Sequence, residues 1–223
     1  MKKLFLSVAL ATFAAGSALA QDAMVTETGG GIKPTAGEFT LEANVNLLNS
    51  DVRLSNSLNQ IRGRYFMSDD FALRLGANLS LDSRTQNPDD DTEIKYSHFA
   101  ISLMPGIEKH FTGTDRLSPY IGAELGIGIS SRSQEVTADG NKTEIKGGWD
   151  TGERGNFQFG LNGIAGFDFY VARHLYVGYE LGFGFNLRSD SAVEVNNIET
   201  DGKNSSFSIG PNVRNGIRVG FVF

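Results

Sequence analysis

Three histidines, His98, His110 and His174, are the obvious general bases in this chain, and there is no cysteine. The missing thiols exclude disulfides, thiolate nucleophiles and a lipidated cysteine. His98 with the hydroxyl of Ser102 or Ser130 is the one grouping worth stating as chemistry. Acid–base or nucleophilic catalysis needs a positioned set, and the spacing supplies no third member. A hydrogen-bonded histidine is therefore expected, with no catalytic residue. Asp89, Asp90 and Asp91 with Glu93 form an acidic knot of hard oxygen ligands that suit a divalent cation. It lacks the glycine and ligand spacing of a calcium loop, so the expectation is a solvated loop tip and no metal. Gly122-x-x-x-Gly126-x-Gly128 and Gly29-Gly30-Gly31 have neither the strand–helix context nor the Gly-Lys-Ser/Thr ending of a nucleotide loop. No cofactor is expected. The formal net charge of −6, with no basic tract, argues against nucleic acid.

The remaining candidates are charges, and strands must position them. From Phe207 to Phe223 large apolar residues alternate with small or polar ones. That period of two runs longer than an ordinary strand needs. The same alternation predicts strands over about 37–49, 57–67, 71–83, 96–110, 118–133, 155–171 and 174–188, eight in all. Their polar faces carry Gly, Asn, Glu and Arg, so the apolar faces are expected to meet lipid. Short connections at 68–70, 111–117 and 172–174 alternate with longer polar ones at 50–56, 84–95, 134–154 and 189–205. No run after the leader approaches the length of a membrane helix. The fold class is therefore all-β, an eight-stranded antiparallel transmembrane barrel, since only helices and closed barrels satisfy their backbone in lipid.

Inward projection puts Glu42, Arg62, Glu124, Glu180 and Arg218 in one layer, with Arg64, Arg74, Glu108, Asp168 and Arg214 nearby. Buried charges must be paired and hydrogen-bonded. The favoured reading is a polar plug, and the rival is a charged constriction in a narrow pore, for which the inward glycines leave room. Asp139-Gly140 predicts a tight hairpin turn above the membrane. Trp149, the one tryptophan, is expected either to anchor a partner or to touch the outer leaflet. Pro105 and Pro211 predict bulges, and Asn215 has no comfortable place on a lipid face.

Lys2 and Lys3, an apolar run over about 4–15, and Ala18-Leu19-Ala20 predict a secretory signal peptide over 1–20. Residues 21–36 read as a flexible periplasmic segment and 37–223 as the barrel. With the alternating strands and terminal Phe223, the chain resembles the small eight-stranded outer-membrane barrels of the OmpA/OmpX type in Gram-negative bacteria. The peptidoglycan-binding domain that follows the barrel in OmpA is expected to be absent. The resemblance implies contact with outer-membrane lipids and lipopolysaccharide. It also implies recognition by the barrel assembly machinery through Ile217, Val219, Phe221 and Phe223, and both termini in the periplasm. It implies envelope integrity, or adhesion to an extracellular ligand or host surface through loop residues such as Asp89–Asp91, Asp139, Gly140 and Trp149. Some barrels of this type modify lipid A with a His and a Ser or acid near the outer leaflet, which makes His98 the residue to test for that alternative.

Overall fold

The computed structural model describes residues 31–45, 58–213 and 217–223. Among them there is no helix; twelve strands form one antiparallel sheet that closes on itself. Eight staves make the ring: β1 (Phe39–Val45), β2 (Leu58–Ser68), β3 (Phe71–Asp89), β4 (Thr92–His110), β5 (Leu117–Ala138), β7 (Asn156–Ala172), β8 (Leu175–Asp190), and a last stave in two pieces, β11 (Ser205–Val213) and β12 (Ile217–Val222). The shorter strands β6 (Asn141–Lys146), β9 (Val193–Val195) and β10 (Ile198–Asp201) stand at the long-loop end. Closure comes from β12 on β1, in register from Thr40↔Val222 to Val45↔Ile217. It removes the sheet edges that hydrocarbon cannot hydrogen-bond.

Alternation decides which face is which. On β3, Leu73, Leu75, Leu79 and Leu81 are exposed, while Ala72 and Arg74 are buried. The oily surface is on the outside and the polar one within, the reverse of a soluble barrel and the pattern of a lipid-facing belt.

The buried apolar cluster is small and sits at the short-turn end: Tyr170, Tyr176 and Val222, with Ile32 packed against them. Residues 31–38, the first of which were expected within a flexible lead-in, lie across this end. Pro34 is buried, Ala36 donates its N–H to Asp69, and Gly37 donates to the Phe66 carbonyl.

At the long-loop end the sheet runs farther than alternation predicts. The expected loop at 84–95 is mostly strand, with Gln86 still opposite Ile94. Beyond the apolar belt the outward face no longer needs oily side chains, so the sequence signal stops before the strand does. β5 continues to Ala138, turns at Asp139 (φ 49°) and Gly140 (φ 78°), and returns as β6. The return leg does not run straight into β7; it leaves the sheet at Gly147 (φ 79°). Within 189–205, β9 and β10 form a hairpin around Asn196 and Asn197, both at positive φ, and β9 pairs with β6.

Neither proline makes the expected bulge. Pro105 faces Leu75 in unbroken register with β3, and Pro211 faces Phe183 in unbroken register with β8. The irregularity lies farther along, since Val213 faces Leu181 while Arg218 faces Gly178. The last stave thus carries two residues more than β8 there. An even excess keeps Ile217 on the outer side and Arg218 inside. The signal segment, Arg214 and Asn215 fall outside the described residues.

Candidate functional site

One network crosses the lumen in its short-turn half. Glu42 of β1, Arg62 and Arg64 of β2, Arg74 of β3, Glu108 of β4, Glu124 of β5, Asp168 of β7, Glu180 of β8 and Arg218 of β12 are all buried. Every stave contributes. Arg64 bonds Glu42 at 2.9 Å, Glu108 at 3.0 Å and Asp168 at 2.7 Å. Because β2 and β7 are not neighbours, that guanidinium spans the lumen. Arg74 holds Glu108, Glu124 and Glu180 at 2.7, 3.0 and 2.8 Å. Arg62 joins Glu42 to Glu180, and Arg218 joins Glu42 to Asp168. Guanidinium is suited to this because its planar fork serves several carboxylates at once.

Tyrosines complete the layer. Tyr120 donates its hydroxyl to Glu180 at 2.7 Å and Tyr176 to Glu42 at 2.8 Å. The Arg64 guanidinium lies over the Tyr176 ring at 5.0 Å, and that of Arg218 over Tyr120 at 5.3 Å. Inward glycines make room for these groups and do not leave a bore. A Cβ on Gly178 would stand 2.6 Å from both Arg218 and Asp168, and one on Gly220 would strike the Tyr176 ring. Gly126, by contrast, faces open space, so the lumen widens beyond the layer.

The long-loop mouth is built differently. Here residues 147–155 close a small turn, with Trp149 N–H donating to Glu153 O and Gly155 N–H to Gly147 O. The turn folds inward: Trp149 packs on Tyr96 edge-to-face at 5.4 Å, with the Arg132 guanidinium 4.7 Å from the indole centre. Its indole N–H donates to the carbonyls of Ser97 and Ser133, and buried Gln134 accepts the N–H of Asp150 at 2.8 Å. Trp149 therefore faces the lumen side of β4 and β5, away from the outer leaflet. The Thr151 hydroxyl bonds the Glu153 carboxylate and holds its pKa below the ordinary value.

The model of the outer membrane protein beta-barrel domain family matches residues 6–214. The chain belongs to this family. Among solved structures it is similar to the outer membrane protein OprG of Pseudomonas aeruginosa, at 13% identity over 87% of this chain and 99% of that one, with a TM-score of 0.46. It is also similar to the N-terminal β-barrel domain of OprF from the same organism, at 16% identity over 85% and 100%, TM-score 0.35. A third is the attachment invasion locus protein Ail of Yersinia pestis, at 12% identity over 85% and 100%, TM-score 0.30. No curated protein matches the chain. The family match carries the assignment, and with it a place in the outer membrane.

In this outer-membrane barrel the expected charged residues come together, except Arg214, which is outside the described residues. Sequence reasoning left out the tyrosines, although Tyr120 and Tyr176 stand at inward positions four residues before Glu124 and Glu180; that placement was the available signal. His98 does reach Ser130, at 3.2 Å, while Ser102 sits opposite Gly128. Asp82 faces His98 as its cross-strand partner without bonding the ring, so no orienting acid is in place. His110 bonds Ser118 and Glu108 at the foot of the network, and His174 the Val222 carbonyl. Asp89, Asp90 and Asp91 cap the β3–β4 hairpin in solvent, and among the described residues no group of side chains is arranged to hold a metal. Ile217, at the start of β12, and Phe223, just past its end, are exposed, while Arg218 is buried.

Proposed function

We propose that this protein is a closed, non-conducting outer-membrane barrel that serves envelope integrity and surface recognition through its long-loop end. One observation carries the reading: Arg64 bridges opposite walls within a layer to which every stave contributes a buried charge. A pore needs a water path, and hydrogen-bonded guanidinium and carboxylate groups occupy the section where it would run. In this reading the long loops face outside the cell and both termini face the periplasm. The alternating Ile217, Val219, Phe221 and Phe223 are then presented to the assembly machinery.

Single-channel recording on the reconstituted protein tests it. With insertion shown by protease protection, a silent bilayer is expected. Reproducible current steps that change with Glu124→Gln would replace the plug by a narrow channel. The contact between His98 and Ser130 favours a second reading, a lipid A-modifying enzyme. An altered lipid A mass pattern that reverts with His98→Ala would establish that chemistry; an unchanged pattern leaves the non-catalytic role.

A further inference from the structure

Inside the long-loop mouth is a pocket of about 290 Å³, near the small end of the range for ligand sites. Asp82, Arg84 and Gln86 enter it from one face of β3, and Tyr96 stands opposite Arg84 on β4. Trp149 and Glu153 enter from the 147–155 turn. The site lies well beyond the charged layer and takes no part in closing the barrel.

Three features define what fits. First, the indole N–H already donates to Ser97 and Ser133, so Trp149 and the Tyr96 ring beside it offer a ligand apolar surface. Second, the lining is of mixed sign: the carboxylates of Asp82 and Glu153 stand with the Arg84 guanidinium, and the Arg132 guanidinium lies behind the indole. Carboxylates beside a guanidinium disfavour both a compact anion and a compact cation, each of which would meet a like charge. Third, the Asp82 and Glu153 carboxylates only accept, the Arg84 guanidinium only donates, and the Gln86 amide does both. A row of hydroxyls, each both donor and acceptor, satisfies that set, whereas an alkyl chain would leave it desolvated and unpaired. Gln134 pins the turn through Asp150, so the pocket is preformed and the ordering cost of binding is small.

We propose that this pocket binds a neutral sugar, one or two pyranose rings, with an apolar ring face on the aromatic pair and hydroxyls on Asp82, Arg84, Gln86 and Glu153. The inference rests on the reading that the long-loop end faces outside the cell, and it gives that recognition surface a ligand class.

Trp149 is the one tryptophan in the sequence, so its emission reports on this pocket alone. The experiment titrates the full mature protein, in lipid nanodiscs free of sugar-headed detergent, with glucose, galactose, N-acetylglucosamine, maltose and lactose. Inorganic phosphate and spermidine serve as charged probes. A saturable emission shift with at least one sugar is expected, with Kd raised about tenfold or more by Asp82→Asn or Glu153→Gln, the effect of losing a hydrogen bond to a charged group. Both residues are exposed, so heat-modifiable gel migration should show both variants folded as barrels. Flat titrations with every sugar would overturn the proposal. So would a Kd that both variants leave unchanged, or phosphate or spermidine binding more tightly than any sugar. The arms separate cleanly: current steps with an intact sugar response remove only the plug, and a silent bilayer with flat titrations removes only the sugar site.

Discussion

The two halves of the lumen are lined by the same chemistry, guanidinium against carboxylate, yet they are built for different ends. In the short-turn half each arginine is buried and serves two or three carboxylates from different staves, and tyrosine rings cover Arg64 and Arg218. In the long-loop half Asp82, Arg84 and Glu153 are exposed around a cavity, and pairs such as Lys142 with Glu135 sit in solvent. Buried charges have no water to fall back on, so their geometry is set by mutual pairing, and removing one strands the others. Exposed charges are screened and interchangeable, which leaves them available to a ligand. One half is therefore held together by its charges, and the other keeps its charges in solvent.

The largest effect that sharpens this contrast belongs to Arg64. Arg64→Leu leaves Glu42, Glu108 and Asp168 short of a cation and is expected to cost about 3–5 kcal/mol in urea unfolding of the reconstituted barrel. A loss near zero would mean that the layer fills space without holding the staves together. Next comes Gly178→Ala, whose added methyl meets Arg218 and Asp168. An overpacking cost of about 1–3 kcal/mol is expected in the same assay, against no change for Gly126→Ala, which faces open space. Equal costs at the two positions would show that the lumen is uniformly loose.

The smallest change in stability is expected at the mouth. Gln134→Leu leaves the Asp150 N–H without its acceptor, at about 1 kcal/mol or less for the barrel as a whole. Its main readout is Trp149 emission, which should shift to the red as the turn loosens. An unmoved spectrum would mean that the two carbonyl contacts of the indole hold the turn unaided.

The staves were legible because lipid imposes a strict rule. Wherever the outside is hydrocarbon, large apolar residues must recur every second position, as Leu73, Leu75, Leu79 and Leu81 do. The same rule fails at 84–95 and 134–154, where sheet continues in water and either face can be polar. Asp139-Gly140 still marked its turn, since a left-handed backbone favours those residues; Asn196-Asn197 carries the same chemistry inside what read as a plain loop.

Alternation along the chain specifies the number of staves, the inside and the outside of each, and that the inside is charged. All of these follow from a period of two that any reader of the chain can count. The tertiary structure decided what the charges do. Arg64 and Asp168 are separated by 104 positions, and whether they meet across the lumen depends on the stagger of eight strands in a closed ring. It also decided that Trp149 turns inward, because no local pattern says which side of a polar turn an indole will find its carbonyls on. Periodicity is a property of one strand and its solvent, whereas a plug and a pocket are properties of several strands in register.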